Sequence, residues 1–191
     1  MIDLLADSGL TWADVLRTWN ELTVPEGWRP EITPGGIVMT PPPSGAHNLT
    51  AATVNRALVA VVDEHLEVMQ TQGVAVRSIG GIFIPDLCVV VRSKVPPGSD
   101  PVDSQYVVLA VEITSRGNAQ HDRKRKKWAY AHGGIAQYLL VDPFDEDGPA
   151  VSLFSNPSDG IYLTTERTPL GQKVVLRAPV AAEIDSGLFP V

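Results

Sequence analysis

The chain has 191 residues, 44% of them hydrophobic and 6% aromatic, enough for one domain with a sizeable core. A net charge of −7 argues against wholesale coating of a nucleic acid, although a local basic patch can still steer a polyanion. The single cysteine, Cys88, sits in an apolar run, which removes both a disulfide framework and a thiolate metal site.

The start, MIDLLADSGL, has no basic leader region, and no apolar stretch nears bilayer length, so a cytoplasmic protein with no membrane partner is expected. Trp12, Val15, Leu16, Trp19 and Leu22 recur at helical spacing, predicting an amphipathic helix over 11–22 capped by Thr11 or Ser8. Two extended pieces around Pro34-Gly35-Gly36 predict a hairpin, stopped by the prolines at 41–43. The spacing of Leu49, Val54, Leu58, Val61, Val62 and Leu66 predicts a long helix from His47 to about Glu67, entered through Ser44 or Asn48. Strand-like runs follow at 73–79, Ile82 to Val91 and Tyr106 to Thr114. A further helix is predicted from about Asn118 to His132, ended by Gly133-Gly134, before an apolar run from Gln137 to Val141. The tail offers more polar strands at Ala150 to Phe154, Gly160 to Thr165 and Lys173 to Pro179. The order describes a mixed α/β fold, a central sheet flanked by helices, with an N-terminal helical extension over 1–24 and one globular domain over 25–191.

Asp86 interrupts one apolar run, in GIFIPDLCVVV, and Glu112 interrupts the next, in LAVEITS. The proline-rich loop from Arg92 to Gln105 can join adjacent strands, which brings the two carboxylates together. Burying both unpaired costs several kcal/mol each, so positive charge belongs between them. Magnesium suits such oxygen ligands, with manganese as a substitute.

Five consecutive basic residues, Arg123 to Lys127, supply a third of the 15 Lys and Arg. On a helical wheel, Ala119, Asp122, Lys126, Ala129, Tyr130 and Gly133 share the least charged sector, with Lys126 its only base. Lys126 is therefore expected to aim at the sheet near Glu112. Arg123 and Lys127 flank that sector as candidate nucleic-acid contacts, Lys124 and Arg125 point farther out, and Trp128 lies opposite, expected to pack on the N-terminal helix or a second subunit. An Asp, a Glu and a Lys converging with a metal make a phosphodiester-hydrolase site.

The stretches IPDLCVVV, LAVEITS, DRKRKKWAY at 122–130 and GGIAQYLLVDP, with the entry PEITPGGIVMTPPPSGAH, resemble the PD-(D/E)XK nuclease superfamily and, within it, the Uma-two family, over roughly residues 25–155. The resemblance implies a restriction-endonuclease-like core and magnesium-dependent cleavage of DNA. By position, Asp86 matches the PD aspartate and Glu112 the acid of the second motif. The superfamily's lysine two residues after that acid is absent, since Thr114 stands there; the family takes its lysine from the following helix, where Lys126 fits. Glu31, His47 and Asp122 match recurring family positions without a defined role.

Each residue also has a plainer reading: Asp86 closing a turn, Glu112 with Lys126 as a structural ion pair, His47 as a helix-start residue bonded to backbone, and the basic run as a solvated face. Two functions follow, a metal-dependent endonuclease and a non-cleaving nucleic-acid-binding or interaction module on the same fold. DNA is the expected partner with RNA left open, and a homodimer could form through Trp12, Trp19 or Trp128.

Overall fold

The computed structural model describes residues 9–117 and 119–190. Ser8 and Asn118, an expected cap and an expected helix start, lie outside them. Helix α1 (Trp12–Glu21) begins with a reciprocal cap: the Thr11 hydroxyl accepts from Asp14 N, and the Asp14 carboxylate accepts from Thr11 N. Its apolar stripe packs inward, with Val15 buried against Ile32 and Ile82 and with Trp12, Leu16 and Trp19 around them. Trp12 and Trp19 are thus half-buried against the chain's own core.

The predicted hairpin forms from β1 (Arg29–Thr33) and β2 (Gly36–Thr40), paired from Arg29↔Thr40 to Thr33↔Gly36. Helix α2 (Gly45–Val59) starts at Ser44, whose hydroxyl accepts from His47 N. It stops well before Glu67, contrary to the sequence expectation. Leu58 O accepts from both Val61 N and Val62 N, the Asp63 carboxylate captures His65 N, and Leu66 begins a strand, β3 (Leu66–Gln70). A local Asp turn and pairing with a neighbouring strand override the helical periodicity there.

The run from Ile82 to Val91 is two strands in two different sheets. After β4 (Val74–Val76), strand β5 (Gly81–Phe83) belongs to a five-stranded sheet ordered β2-β1-β5-β4-β7, with β7 at Val102–Asp103. Strand β6 (Leu87–Val91) joins the six-stranded main sheet, ordered β11-β10-β9-β8-β6-β3, with β8 (Val107–Ile113), β9 (Gln137–Asp142), β10 (Ala150–Ser158) and β11 (Ile161–Pro169). Pro85, lacking an N–H, marks the crossing. In the main sheet only β8 and β9 run parallel.

One face of this sheet carries Leu109, Val111 and Ile113 of β8, covered by Val54 and Leu58 of α2 and by the hairpin β12 (Lys173–Val175) with β13 (Glu183–Asp185). Strand β13 had no sequence signal beyond a single buried Ile184. The other face carries Cys88, Val90 and Ala110, covered by the smaller sheet and a helix whose first part is a π-helical turn, His121–Lys126, continuing as α3 (Lys127–His132). Trp128 lies against His132 of its own helix, with ring centroids 4.3 Å apart and planes tilted by 45°. Among the described residues no helix is long and apolar enough to cross a membrane.

Candidate active site

Strand alternation decides where the acids point. Leu109, Val111 and Ile113 occupy the α2 face of β8, so Glu112 between them projects to the π-turn face. The β6–β8 register ends at Leu87↔Val111. One step further along this antiparallel pair sets Asp86 beside Glu112 on the same face, and the Asp86 carboxylate accepts from Ile113 N at 2.9 Å. Both acids are buried.

The crossing between the two sheets creates a need that the site fills. Ile84 lies between β5 and β6, and its buried N–H donates to Glu31 Oε1 at 2.8 Å while its carbonyl accepts from Lys126 Nζ at 3.3 Å. Glu31 comes from the middle of β1, so three elements meet at one peptide. The Lys126 ammonium lies 2.8 Å from Glu31 Oε1 and 2.9 Å from Glu112 Oε1. Its three protons are thus matched by Glu31, Glu112 and the Ile84 carbonyl. The π-helical turn faces Asp122 and Lys126 inward together, 3.7 Å apart across an i,i+4 spacing.

Asp86 and Lys126 are brought into one buried cluster with Glu112, as are all three residues that carried no defined role. Glu31 also meets His121 Nε2 at 2.9 Å, and His47 Nε2 lies 3.0 Å from Asp86 Oδ2. Asp122 is wholly buried, and neither of its carboxylate oxygens has a hydrogen-bond partner among the described residues. Three further members escaped the sequence reading. Arg29 Nη1 donates to Asp86 Oδ1 at 2.8 Å, the Tyr130 hydroxyl donates to Glu112 Oε1 at 2.6 Å, and His121 holds Glu31. Arg29 stands two residues before Glu31 on the same strand, and Tyr130 four residues after Lys126, so the two periodicities contained both.

The flanking basic residues serve differently. Arg123 donates twice to Asp142, from Nε at 2.5 Å and Nη2 at 3.0 Å, and also to the Phe144 carbonyl at 2.6 Å. Thr114, where a strand lysine is missing, donates to the same Asp142 at 2.8 Å. Together they tie the start of the π-helical turn to the end of β9. Lys127 Nζ lies 4.7 Å over the Phe154 ring. Lys124 and Arg125 are exposed.

Electrostatics follow from burial and from these pairings. Burial works against the Lys126 charge, but Glu112, Glu31, Asp122 and Asp86 outweigh it and hold its pKa well above that of an ordinary lysine. Burial alone would raise Asp86, yet His47, Lys126 and Arg29 hold it down to about 2. For Asp122, burial dominates over Lys126 and pushes it up to about 6. Burial, with the charges of Asp122, Asp86 and Glu31, likewise pushes Glu112 upward despite Lys126.

Four carboxylates, Glu31, Asp86, Glu112 and Asp122, therefore face two permanently charged side chains, Lys126 and Arg29. That deficit of positive charge, with an unpartnered carboxylate beside it, fits a hard divalent cation held by oxygen. Among the described residues no three His, Cys, Asp or Glu side chains already surround one metal position. Chelation by Asp86 and Glu112 accordingly requires side chains to exchange partners.

Comparison with known proteins bears on this site. The family model of the Uma-two proteins, described as "Putative restriction endonuclease", matches residues 15–186. A solved structure from Anabaena variabilis, described as a "putative nuclease", is similar over 90% of this chain and 91% of its own, with a TM-score of 0.66 and 17% sequence identity. At that identity the likeness shows the shared fold. No curated protein matches the chain.

Proposed function

The chain belongs to the Uma-two family, and from that premise we propose that it is a divalent-metal-dependent endonuclease hydrolysing DNA phosphodiester bonds in the cytoplasm. Asp86 and Glu112 are the carboxylates that hold the metal, magnesium or in its place manganese, and Lys126 is the positive group beside it. The observation that carries this reading is the fully buried Lys126 ammonium between Glu31 and Glu112, one strand away from Asp86. A lysine is expensive to bury and is used here where charge must be focused in a dry site.

A divalent cation in this cluster would polarise the scissile phosphate and make a bound water more acidic. The remaining work falls to the chain's own residues. Lys126 stays protonated amid the surrounding carboxylates, so it acts as a fixed positive charge toward a phosphoryl oxygen and not as a base. Arg29, His47 and Ile113 N fix the Asp86 carboxylate from three sides, which limits its rotation. Tyr130 fixes Glu112, and His121 with Ile84 N fixes Glu31. Phosphate contacts along the strand come from the basic turn, through Lys127 and the exposed Lys124 and Arg125, whereas Arg123 is committed to Asp142.

A second reading, a nucleic-acid-binding module that does not cut, is favoured by one observation: Arg29 and His47 already occupy both oxygens of Asp86. The two readings part in a supercoiled-plasmid nicking assay with magnesium or manganese, run beside Asp86→Ala. Nicking by the native protein alone supports the nuclease. Nicking by both proteins indicates a contaminant, and nicking by neither leaves the binding module.

A further inference from the structure

The Asp122 carboxylate is the one member of the cluster with no stated task. It is wholly buried, so water cannot satisfy it, and among the described residues neither oxygen accepts a hydrogen bond. An orphaned buried carboxylate is costly, and such groups persist where another state of the molecule uses them. Lys126 Nζ forms an ion pair with it at 3.7 Å, slightly too far for a hydrogen bond. Lys126 cannot serve Asp122 as the cluster stands, because Glu31, Glu112 and the Ile84 carbonyl take its three protons.

Which of those three partners can release the ammonium is settled by what each would lose. The Ile84 carbonyl is main chain at the crossing between sheets, with no strand partner. Glu31 Oε1 also accepts from Ile84 N, and Oε2 meets the His121 imidazole Nε2, so both oxygens of that side chain are already engaged. Glu112 Oε1 keeps the Tyr130 hydroxyl at 2.6 Å after the lysine departs. Glu112 is also the carboxylate that a divalent cation would engage.

We propose that Asp122 is the positioning residue for Lys126: once Glu112 is engaged by a divalent cation, the ammonium passes its hydrogen bond from Glu112 to Asp122 and remains in the site. The i,i+4 placement on the π-helical turn lets this happen by side-chain torsion alone, without moving the backbone. Without Asp122, the ammonium would be left beside an incoming dication with one carboxylate fewer to hold it, and metal binding would become harder. Asp122 thus makes no hydrogen bond to Lys126 in the metal-free protein and gains one in the metal-bound one. This rests on the metal-dependent reading given above.

The test measures Mn2+ affinity by isothermal titration calorimetry for the native protein and for Asp122→Asn, together with the melting temperature of each in EDTA. Handover predicts that Asp122→Asn melts at or above the native temperature in EDTA yet binds Mn2+ about tenfold or more weakly, the size seen when outer-shell partners of metal ligands are removed. A native protein that binds Mn2+ while the variant binds it equally well overturns the role of Asp122 and leaves the nuclease reading standing. A native protein that binds no Mn2+ overturns both. A variant that melts well below the native protein also counts against the proposal, since it assigns Asp122 to the fold of the metal-free state. An independent readout needs no variant: in the native protein the Lys126 side-chain ammonium signal must shift on adding Mg2+ while staying protected from solvent exchange. An ammonium signal that does not move, or that is lost to exchange with water, overturns the handover.

Discussion

Tyr130 and Lys126, one helical turn apart, donate to the same oxygen, Glu112 Oε1, at 2.6 and 2.9 Å. Tyr130→Phe keeps the ring that packs edge-on against Phe83 and Tyr138 and removes only the hydroxyl. A buried acceptor then loses one of two donors, at a cost of about 1–3 kcal/mol. Urea denaturation in EDTA checks this, and a variant as stable as the native protein would contradict it.

Lys126→Met removes the cation shared by Glu31 and Glu112 and leaves two buried carboxylates facing each other. Breaking such a pair costs about 3–5 kcal/mol, a large share of a domain's stability of about 5–15 kcal/mol. Protonation relieves unpaired carboxylates, so the loss should be greater at pH 8 than at pH 5. Denaturant melts at the two pH values measure the difference, and an equal loss at both would count against buried charge as the cause.

Asp122 and Asp86 give opposite pH dependences. The Asp122 carboxyl is pushed up to about 6 from 3.8, so between these values the native state binds its proton more tightly than the unfolded chain does. The contribution of Asp122 to stability therefore falls as pH rises from about 4 to about 6. Asp86 is held down to about 2, so its contribution is fully present above the usual carboxylate range and is lost as pH falls toward 2. Thermal melts in EDTA should show Asp122→Asn gaining on the native protein across pH 4 to 6. A constant gap across that window would show that Asp122 does not titrate there.

Much of this arrangement was legible in the sequence, and the exceptions have physical causes. The placement of Lys126 on an inward sector came from helix periodicity, and the wider π-helical turn did not disturb it because Asp122 and Lys126 turn inward together. The pairing of β6 with β8 came from two apolar runs each interrupted by an acid. What periodicity could not reveal was the switch of sheets at Pro85, since a continuous apolar run reads as one strand whether or not its hydrogen-bond partners change. Nor could it show Arg29 on Asp86, a contact between residues 57 positions apart. Strand β3 was hidden because Val61, Val62 and Leu66 continue the helical spacing beyond the point where α2 ends.

Arg123 separates two kinds of basic residue on one turn. Its guanidinium is spent on Asp142 and the Phe144 carbonyl, so Arg123→Ala should lower stability by about 1.5–3 kcal/mol, the range for hydrogen bonds to charged groups. Lys124→Ala and Arg125→Ala should leave stability nearly unchanged and each flatten the salt dependence of DNA affinity by about one unit of slope. Denaturant melts and binding titrations at several salt concentrations check both. The reverse pattern would move Arg123 to the phosphate backbone.

The most direct test of the central claim is a crystal soaked in Mn2+ and measured at the manganese absorption edge. The account predicts an anomalous peak between the Asp86 and Glu112 carboxylates, with the Lys126 ammonium withdrawn from Glu112 toward Asp122. No peak at that position, with Lys126 still bonded to Glu112 at saturating Mn2+, would contradict it.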